Sequence, residues 1–302
     1  MNILDKKIDF VMFFTVKNAN PNGDPLMGNM PRTDYDGYGE VSDVCIKRKI
    51  RNRMQDLGYD IFVQSKDRII DGHKSLEARF NDQFDKKKDD DNTVAQKACE
   101  KWMDVRSFGQ VMTFQNRALG IRGPVSISLA KSLSPVDVIT LQITRSTNGV
   151  EAEVGKTKSK DTIGSKHYVD FGVYKLTGSI NCYFSEKTGF TNEDAEVIKE
   201  ALRTLFINDM SSARPEGSME VKKIYWFTHP NKLGVVSSAK IHRLVQADLK
   251  SDIQKATLYE DYIIKMDEEQ YNGYHKFGLN LEEKHSLLKQ LQEGFFNEFG
   301  VL

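Results

Sequence analysis

The chain has 302 residues, of which 39% are hydrophobic, and its 43 Lys and Arg residues balance its 43 Asp and Glu residues. A length and composition of this kind predict a globular protein with a sizeable core, built as one elaborated domain or as two. Because the formal net charge is zero, the overall basic excess of many nucleic-acid binders is excluded, and any site for a polyanion must be local.

The cysteines and the N-terminus indicate the cellular compartment of the protein. Cys45, Cys99 and Cys182 are isolated and have no CxxC spacing. They indicate a reducing compartment and exclude a disulfide framework and a zinc site. The N-terminus is charged and no apolar run reaches the length of a membrane span, so we expect a cytoplasmic protein with no membrane partner.

The first predicted element is a strand that leads into a polar loop. Residues 7–17 alternate, with an apolar face that runs from Ile8 to Val16. A turn-rich segment follows directly, residues 18–25 with the sequence Asn-Ala-Asn-Pro-Asn-Gly-Asp-Pro. Backbone N–H groups in such a loop can come close to an oxyanion, which makes the loop a candidate phosphate-binding element.

A basic helix is predicted after this loop. Ser42 or Asp43 can serve as its N-cap, and Gly58 can close its far end. One face carries an apolar stripe at helical spacing: Ile46, Ile50, Met54 and Leu57. Burial of the stripe is expected to leave the basic side chains on the remaining surface and on the flanks of the stripe: Lys47, Arg48, Lys49, Arg51 and Arg53. Such a surface can bind phosphate, and a merely solvated helix face is the alternative.

Residues 59–104 are predicted to form an insertion with two short helices. Two apolar spacings indicate them: Leu76, Phe80 and Phe84 for the first, and Ala95, Ala98, Cys99 and Trp102 for the second. The charged segment between them, residues 82–91, is predicted to be an exposed loop.

From residue 120 the hydrophobic period changes to two. Strands are predicted at 125–129, 138–144, 171–184, 221–228, 240–246 and near 258–264. The polar side chains of strand 171–184 share one side, which predicts an open face of the sheet. Between 145 and 167 lies a Lys-rich polar segment without apolar periodicity, which fits a disordered loop or a functional projection.

Two more helices complete the predicted elements. Thr191 or Asn192 caps the first, whose buried stripe includes Ile198 and Leu202. The second is predicted to begin at Leu281, docked through three apolar side chains: Leu288, Leu291 and Phe295.

The order strand, helix, two strands, helix, strand predicts an α+β, RNA-recognition-like fold of the ferredoxin-like split βαβ type. We expect a palm made of residues 1–58 and 105–250, with both helices on one face of the sheet and the other face free. Residues 59–104 would be a helical finger insertion, and residues 251–302 a C-terminal helical extension packed on the palm. RNA-recognition domains use this arrangement to bind RNA.

Four motifs give the chain a family resemblance. They are the loop at 18–25, the helix Ser-Asp-Val-Cys-Ile-Lys-Arg-Lys-Ile-Arg at 42–51, Gly-Ile-Arg-Gly-Pro-Val at 120–125 and Gly-Ser-Lys-His at 164–167. With these the chain resembles the backbone subunit of type I-C CRISPR Cascade, a member of the RAMP superfamily, from the first strand to about residue 250. The resemblance implies a palm with finger and β-hairpin thumb elements that polymerises head to tail along a CRISPR guide RNA. It implies no enzymatic activity, no cofactor and no metal, and it implies other Cascade subunits and target DNA paired to the guide as partners.

The resemblance also assigns candidate RNA-binding residues. In the first loop and the basic helix they are Asn18, Asn20, Arg32, Ser42, Lys47, Arg48 and Arg51. In the thumb, placed at 145–167, they are Lys156, Lys158, Lys160, Lys166 and His167. We add Arg117 and Arg122 on chemical grounds, because an arginine in or near an otherwise apolar segment with glycines needs an anionic partner; a structural ion pair is an equal alternative.

Two other functions fit parts of the sequence. A metal-dependent ribonuclease could use carboxylates in or near the first loop: Asp24, Asp34, Asp36 and Asp43. Aspartate is just as common in caps and turns, which favours the non-catalytic interpretation. A stand-alone messenger-RNA-binding protein shares the basic surface but predicts a stable monomer.

Overall fold

The computed structural model of the chain describes residues 2–85, 88–144 and 163–285. Its strands are β1 Ile8–Ala19, β2 Gly23–Asp24, β3 Met30–Pro31, β4 Tyr38–Val41, β5 Gly109–Met112, β6 Leu119–Arg122, β7 Val125–Ile127, β8 Ala130–Pro135, β9 Val138–Thr144, β10 Ile163–Ile180, β11 Met219–Thr228, β12 Val245–Leu249, β13 Tyr262–Met266 and β14 Asn280–His285. Its helices are α1 Asp43–Asp56, α2 Leu76–Gln83, α3 Asp91–Lys101, α4 Met103–Phe108, α5 Cys182–Thr188, α6 Asn192–Arg203, α7 Ser238–Leu244 and α8 Glu268–His275. In this part of the chain, no helix has both the length and the apolar character of a membrane span.

A large antiparallel sheet organises the fold. Its strand order is β14-β11-β1-β10-β8-β4, and β7 and β9 also pair with β10. β1 lies between β10 and β11, so that Ile8 pairs with Ile180 on one side and with Thr228 on the other. The predicted first strand and the α+β class are therefore confirmed.

One face of the sheet carries the two predicted amphipathic helices. The stripes of α1 and α6, which include Ile46, Met54 and Ile198, pack with Phe10 and Leu176 of the sheet in the largest core cluster. Both helices begin at the residues that the sequence indicates. The Ser42 hydroxyl accepts a hydrogen bond from the backbone N–H of Cys45, and Thr191 forms a capping box with Asp194.

The other face of the sheet is not free, which corrects the prediction of an open face. A second core cluster joins Val11, Val173 and Phe227 of the sheet to α7, β12 and β13, through residues such as Leu244 and Tyr262. We call α7, β12, β13 and α8 the accessory layer. The strand predicted at 240–246 is in fact the end of α7 followed by β12, since Val245 is the first residue to pair with β13.

The insertion forms a unit with its own core. Helices α2 and α3 lie where the sequence predicts them. Their buried side chains, including Phe80 and Trp102, form a third cluster that also takes in Val105 and Met112, beyond the predicted boundary at 104. The β5–β6 pair therefore packs with this unit, and we call residues 59–122 the helical unit.

Other predicted boundaries change because local capping and pairing end the elements early. β10 stops at Ile180, since the Asn181 side chain accepts hydrogen bonds from Tyr183 and Phe184 and starts α5. The helix predicted from Leu281 is wrong at its start, where β14 pairs with β11. Its remaining predicted contacts lie outside the described residues: Leu288, Leu291 and Phe295.

Candidate nucleic-acid interface

The first loop is fastened to the start of α1 by asparagine side chains. Asn22 Oδ1 accepts a hydrogen bond from the backbone N–H of Ser42 at 2.9 Å, and Asn20 Nδ2 donates to the carbonyl of Asn29 at 2.7 Å. The carbonyl of Asn22 also accepts from the backbone N–H of Arg32 at 3.1 Å. The predicted residues Asn20, Arg32 and Ser42 are therefore brought together, with Asn20 buried inside the loop and Ser42 acting as a cap.

Asn18 lies at the exposed end of β1. Its backbone is left-handed, with φ of 52°, a conformation that asparagine tolerates better than most residues. The side chain is on the surface, next to exposed Lys17. This position leaves the Asn18 amide open to a ligand that runs past the end of the strand.

The basic side chains of α1 mostly make contacts within the protein. Lys49 is 3% exposed and forms an ion pair with Asp209, so it lies on a buried flank of the stripe and not on the open surface. Arg53 donates to the Thr204 hydroxyl at 2.7 Å. Both contacts attach α1 to the segment that follows α6.

Arg48 and Arg51 attach α1 to the helical unit. Arg48 donates to the carbonyl of Val63 at 2.6 Å, and burial lowers the pKa of its guanidinium from the ordinary value. Arg51 donates to Asp104 at 2.9 Å and lies over the Phe108 ring. Asp104 is 1% exposed and also accepts from the backbone N–H of Phe62 and of Val63. These two predicted RNA-binding residues therefore have partners within the protein.

Lys47 and Arg32 present charge at the surface near the start of α1. Lys47 pairs with Asp43 at 2.9 Å, and Arg32 pairs with Asp24 at 3.2 Å. Both pairs are partly exposed to solvent, where an ion pair contributes only about 0–1 kcal/mol. Phosphate groups can therefore compete for both cations at little cost.

The strands on either side of the Lys-rich segment pair with each other. β9 and the first part of β10 form an antiparallel ribbon from the Val138–Val169 pair to the Thr144–Ile163 pair, and we call this ribbon the arm. The arm therefore begins before the predicted boundary at 145. Lys166 lies opposite Leu141, and His167 Nδ1 is 2.9 Å from the Thr140 hydroxyl. Three other predicted residues lie outside the described part of the chain: Lys156, Lys158 and Lys160.

Arg117 and Arg122, the two candidate arginines of the helical unit, differ in their partners. Arg117 forms an ion pair with Asp91 at 2.6 Å, which is the structural alternative considered for it. Arg122 is exposed, and its guanidinium lies 4.3 Å from the centroid of the Phe184 ring. Arg122 thus contacts α5, whereas Arg117 contacts the first residue of α3.

The aspartates of the first loop support turns and ion pairs. Asp24 caps a short turn by accepting from the backbone N–H of Leu26, in addition to its pair with Arg32. Asp34 accepts from two backbone N–H groups of its own turn and pairs with Lys131. Hydrogen bonds from Lys131 hold the pKa of Asp34 below its usual value. Among the described residues, no group of three or more His, Cys, Asp or Glu side chains has the geometry of a metal site.

Asp9 and His229 form a buried ionic cluster that the sequence analysis did not identify. Asp9 and His229 are both 0% exposed, and His229 Nε2 lies 2.8 Å from Asp9 Oδ2. His229 Nδ1 accepts from the backbone N–H of Val235, so Nε2 carries the proton that it donates to Asp9. Burial opposes the charge of Asp9, but hydrogen bonds from His229 and Ser238 hold its pKa below the usual value. The cluster fastens the start of the accessory layer to β1.

The protein is thus an α+β protein built on a large antiparallel sheet. Arg32 and Lys47 lie beside its polar first loop. Residues 6–267 match the family model of the CRISPR-associated protein Cas7. The chain therefore belongs to the Cas7 family.

The chain is also similar to individual proteins. The CRISPR-associated protein Cas7 of Haloferax volcanii is 26% identical over 212 residues, which are 62% of this chain and 60% of that relative's length. Two chains of CRISPR RNA-guided surveillance complexes, one described as pre-nicking, are 15% and 14% identical with TM-scores of 0.49 and 0.48. The first match covers 89% of this chain and 88% of the other, and the second covers 92% and 87%. A chain of a type III-B Cmr-beta complex bound to cognate target RNA is 11% identical, with a TM-score of 0.39 and coverage of 72% and 60%.

Proposed function

We propose that this chain is a non-catalytic backbone subunit of a type I-C CRISPR Cascade surveillance complex. The observation that carries the proposal is the match to the Cas7 family over residues 6–267. The motifs at 18–25 and 42–51 favour the type I-C group within it. Its partners are guide RNA, other copies of itself, other Cascade subunits, and target DNA paired to the guide, all in the cytoplasm.

The strand order supports an RNA-recognition-like palm. The central strands have the order β11-β1-β10, with β7 or β8 next to β10, and all of them are antiparallel. Helices α1 and α6 pack on one face of these strands. This is the arrangement of the split βαβ fold. The helical unit takes the place of the finger and the arm that of the thumb. The accessory layer covers the sheet face that RNA-recognition domains commonly use, so the RNA is assigned to the helix side and the sheet ends.

Phosphate contacts are assigned to the cations that keep solvent exposure. Arg32 and Lys47 contact the guide backbone beside the amide of Asn18, and Lys166 and His167 contact it from the arm. Lys156, Lys158 and Lys160 lie outside the described residues and are assigned to the guide on the family resemblance alone. Arg48 and Arg51 act by positioning α1 against the helical unit, and Asn20 and Ser42 by fixing the loop. Such contacts read the backbone, and base pairing of the guide reads sequence.

The ribonuclease alternative is less well supported. Asp24, Asp34 and Asp43 each have a cation as partner, and the first two also hold turns together. These engagements account for three of the four candidate carboxylates through structure alone, and the fourth, Asp36, is exposed.

One mixing experiment tests the function. Purified protein is added to CRISPR guide-length RNA with and without magnesium, and particle mass and RNA integrity are read together. A protein-coated particle with several copies and intact RNA is the expected result. Magnesium-dependent cleavage that is lost in Asp24→Ala or Asp34→Ala would establish the ribonuclease instead, and a stable one-to-one complex would establish the stand-alone RNA-binding protein.

The assigned contacts have a matched control. Arg32→Ala with Lys47→Ala should lower the slope of log affinity against log salt by about two, equally for RNAs of different sequence. Lys265→Ala removes a cation with a comparable exposed ion pair from the accessory layer and should leave the slope unchanged. An unaltered slope in the double variant would remove the start of α1 from the interface.

A further inference from the structure

Helix α5 presents an exposed aromatic ring among cations. Tyr183 is 46% exposed, and Lys187 follows it by four residues, which places both side chains on the same face of the helix. The ring of Phe184 has Arg122 at 4.3 Å and the ammonium of Lys187 at 5.7 Å from its centroid. Both cations therefore contact the residue that follows Tyr183 in α5.

Lys187 also lies at the rim of a cleft between the helical unit and α5. The cleft has a volume of 730 Å³, and α3 contributes the amide side chains of Asn92 and Gln96 to its wall. Its floor is rigid, because Arg106 forms two hydrogen bonds of 2.8 Å each with Asp194. The cleft is therefore a preformed concave surface whose wall can both donate and accept hydrogen bonds.

The charge of this surface favours an anionic ligand. Glu186 on the same helix pairs with Lys232, and Arg106 pairs with Asp194, so that these charges offset each other. Glu100 also lines the cleft, where it accepts a hydrogen bond from Gln96 Nε2 at 2.9 Å. With Arg122 and Lys187 on the Phe184 ring, the surface keeps one net positive charge. Cations next to an exposed aromatic side chain and a polar cleft are the features with which proteins hold single-stranded nucleic acid: stacking for the base and charge for the phosphates.

We propose that Tyr183, Arg122, Lys187 and the adjoining cleft bind a segment of single-stranded polynucleotide. A base stacks on Tyr183, Arg122 and Lys187 contact the flanking phosphates, and the amides of Asn92 and Gln96 face the next base inside the cleft. The inference rests on the proposed function, to which it adds a contact surface distinct from the first loop and α1. Because a stacking ring accepts any base, this surface holds the strand irrespective of its sequence.

Substitution of Tyr183 separates stacking from other roles. Tyr183→Ala should weaken binding of fluorescein-labelled single strands, read by fluorescence anisotropy, by about 5- to 150-fold, whereas Tyr183→Phe keeps the ring and should stay within about twofold. Lys187→Ala should lower the salt slope by about one. Phe277→Ala truncates another exposed aromatic residue, on the accessory layer, and is the matched control. Far-UV circular dichroism checks that each variant is folded.

Two probes distinguish whether the surface binds RNA, DNA or both. Oligonucleotides of equal length and mixed sequence are used as RNA and as DNA. Equal losses for both establish a general single-strand surface, and a loss for one probe alone assigns the surface to that nucleic acid.

The outcome also separates this inference from the proposed function. If Tyr183→Ala binds like the wild type, or if Tyr183→Phe loses as much as Tyr183→Ala, the stacking surface is refuted. When that happens while Arg32→Ala with Lys47→Ala still weakens binding, the proposed function stands. If the wild-type protein binds neither RNA nor DNA, both are refuted.

Discussion

Replacement of Asp104 by alanine is expected to destabilise the attachment of the helical unit to α1. The carboxylate accepts from Arg51 Nε at 2.9 Å and from the backbone N–H groups of Phe62 and Val63 at 2.7 and 3.1 Å, and it is 1% exposed. Its removal leaves a guanidinium without its carboxylate partner and two backbone donors without an acceptor. Loss of one partner of a buried ion pair costs about 3–5 kcal/mol. Arg51→Ala should cost less, about 1–3 kcal/mol, because Asp104 keeps both backbone donors.

A double-mutant cycle measures this interaction. Urea unfolding is followed by the fluorescence of Trp102, which packs on Phe62 in the helical unit, in a Trp226→Phe background. The double variant should be less destabilised than the sum of the single ones, because the second substitution removes a charge that the first had already left unpaired. A loss under about 1 kcal/mol for Asp104→Ala, or strict additivity, would show that the charge of Arg51 is not held by Asp104 and that this arginine is free for RNA.

Two further predictions concern a helix cap and a half-buried imidazole. Ser42→Ala removes the acceptor for the Cys45 N–H and should lower the free energy of unfolding by about 1 kcal/mol in the same assay, whereas Ser42→Asp should largely restore it; an unchanged midpoint for Ser42→Ala would contradict the cap. Burial lowers the pKa of His242 from 6.5, so the unfolded chain binds a proton at this imidazole more readily than the folded protein does. The stability that neutral His242 contributes is therefore present above pH 6.5 and is lost as the pH falls below it. His242→Asn should therefore make stability depend less on pH between 7 and 5, and equal pH profiles for variant and wild type would contradict this assignment.

The sequence predicted those elements whose signals are local. The Ser42 cap with the stripe from Ile46 to Met54, and the capping box at Thr191, located α1 and α6 because a cap and its stripe lie within a few residues of each other. The alternation in β1 was equally clear. Short strands such as β4 and β8 gave no comparable signal, since four to six residues rich in Gly, Ser or Pro have little periodicity.

The missed features depend on partners distant in sequence. The polar side of β10 indicated an open sheet face, but Lys175 instead donates to the carbonyls of His242 and Val245, under the accessory layer. In the same way, no local pattern could indicate that Arg51 has Asp104 as its partner or that Asp9 has His229. A basic side chain on an amphipathic helix therefore predicts a phosphate contact only after its internal partners are known.

The central position of β1 has a consequence for biosynthesis. Both of its neighbours in the sheet are synthesised much later than β1, with pairing partners as distant as Ile180 and Thr228. At translation rates of about 5–20 residues per second, Ile8 waits about 9–34 seconds for Ile180, the earlier of these partners. During that time the nascent chain carries an unpaired, largely apolar strand, which makes co-translational protection by a chaperone a requirement we expect for efficient production of this protein.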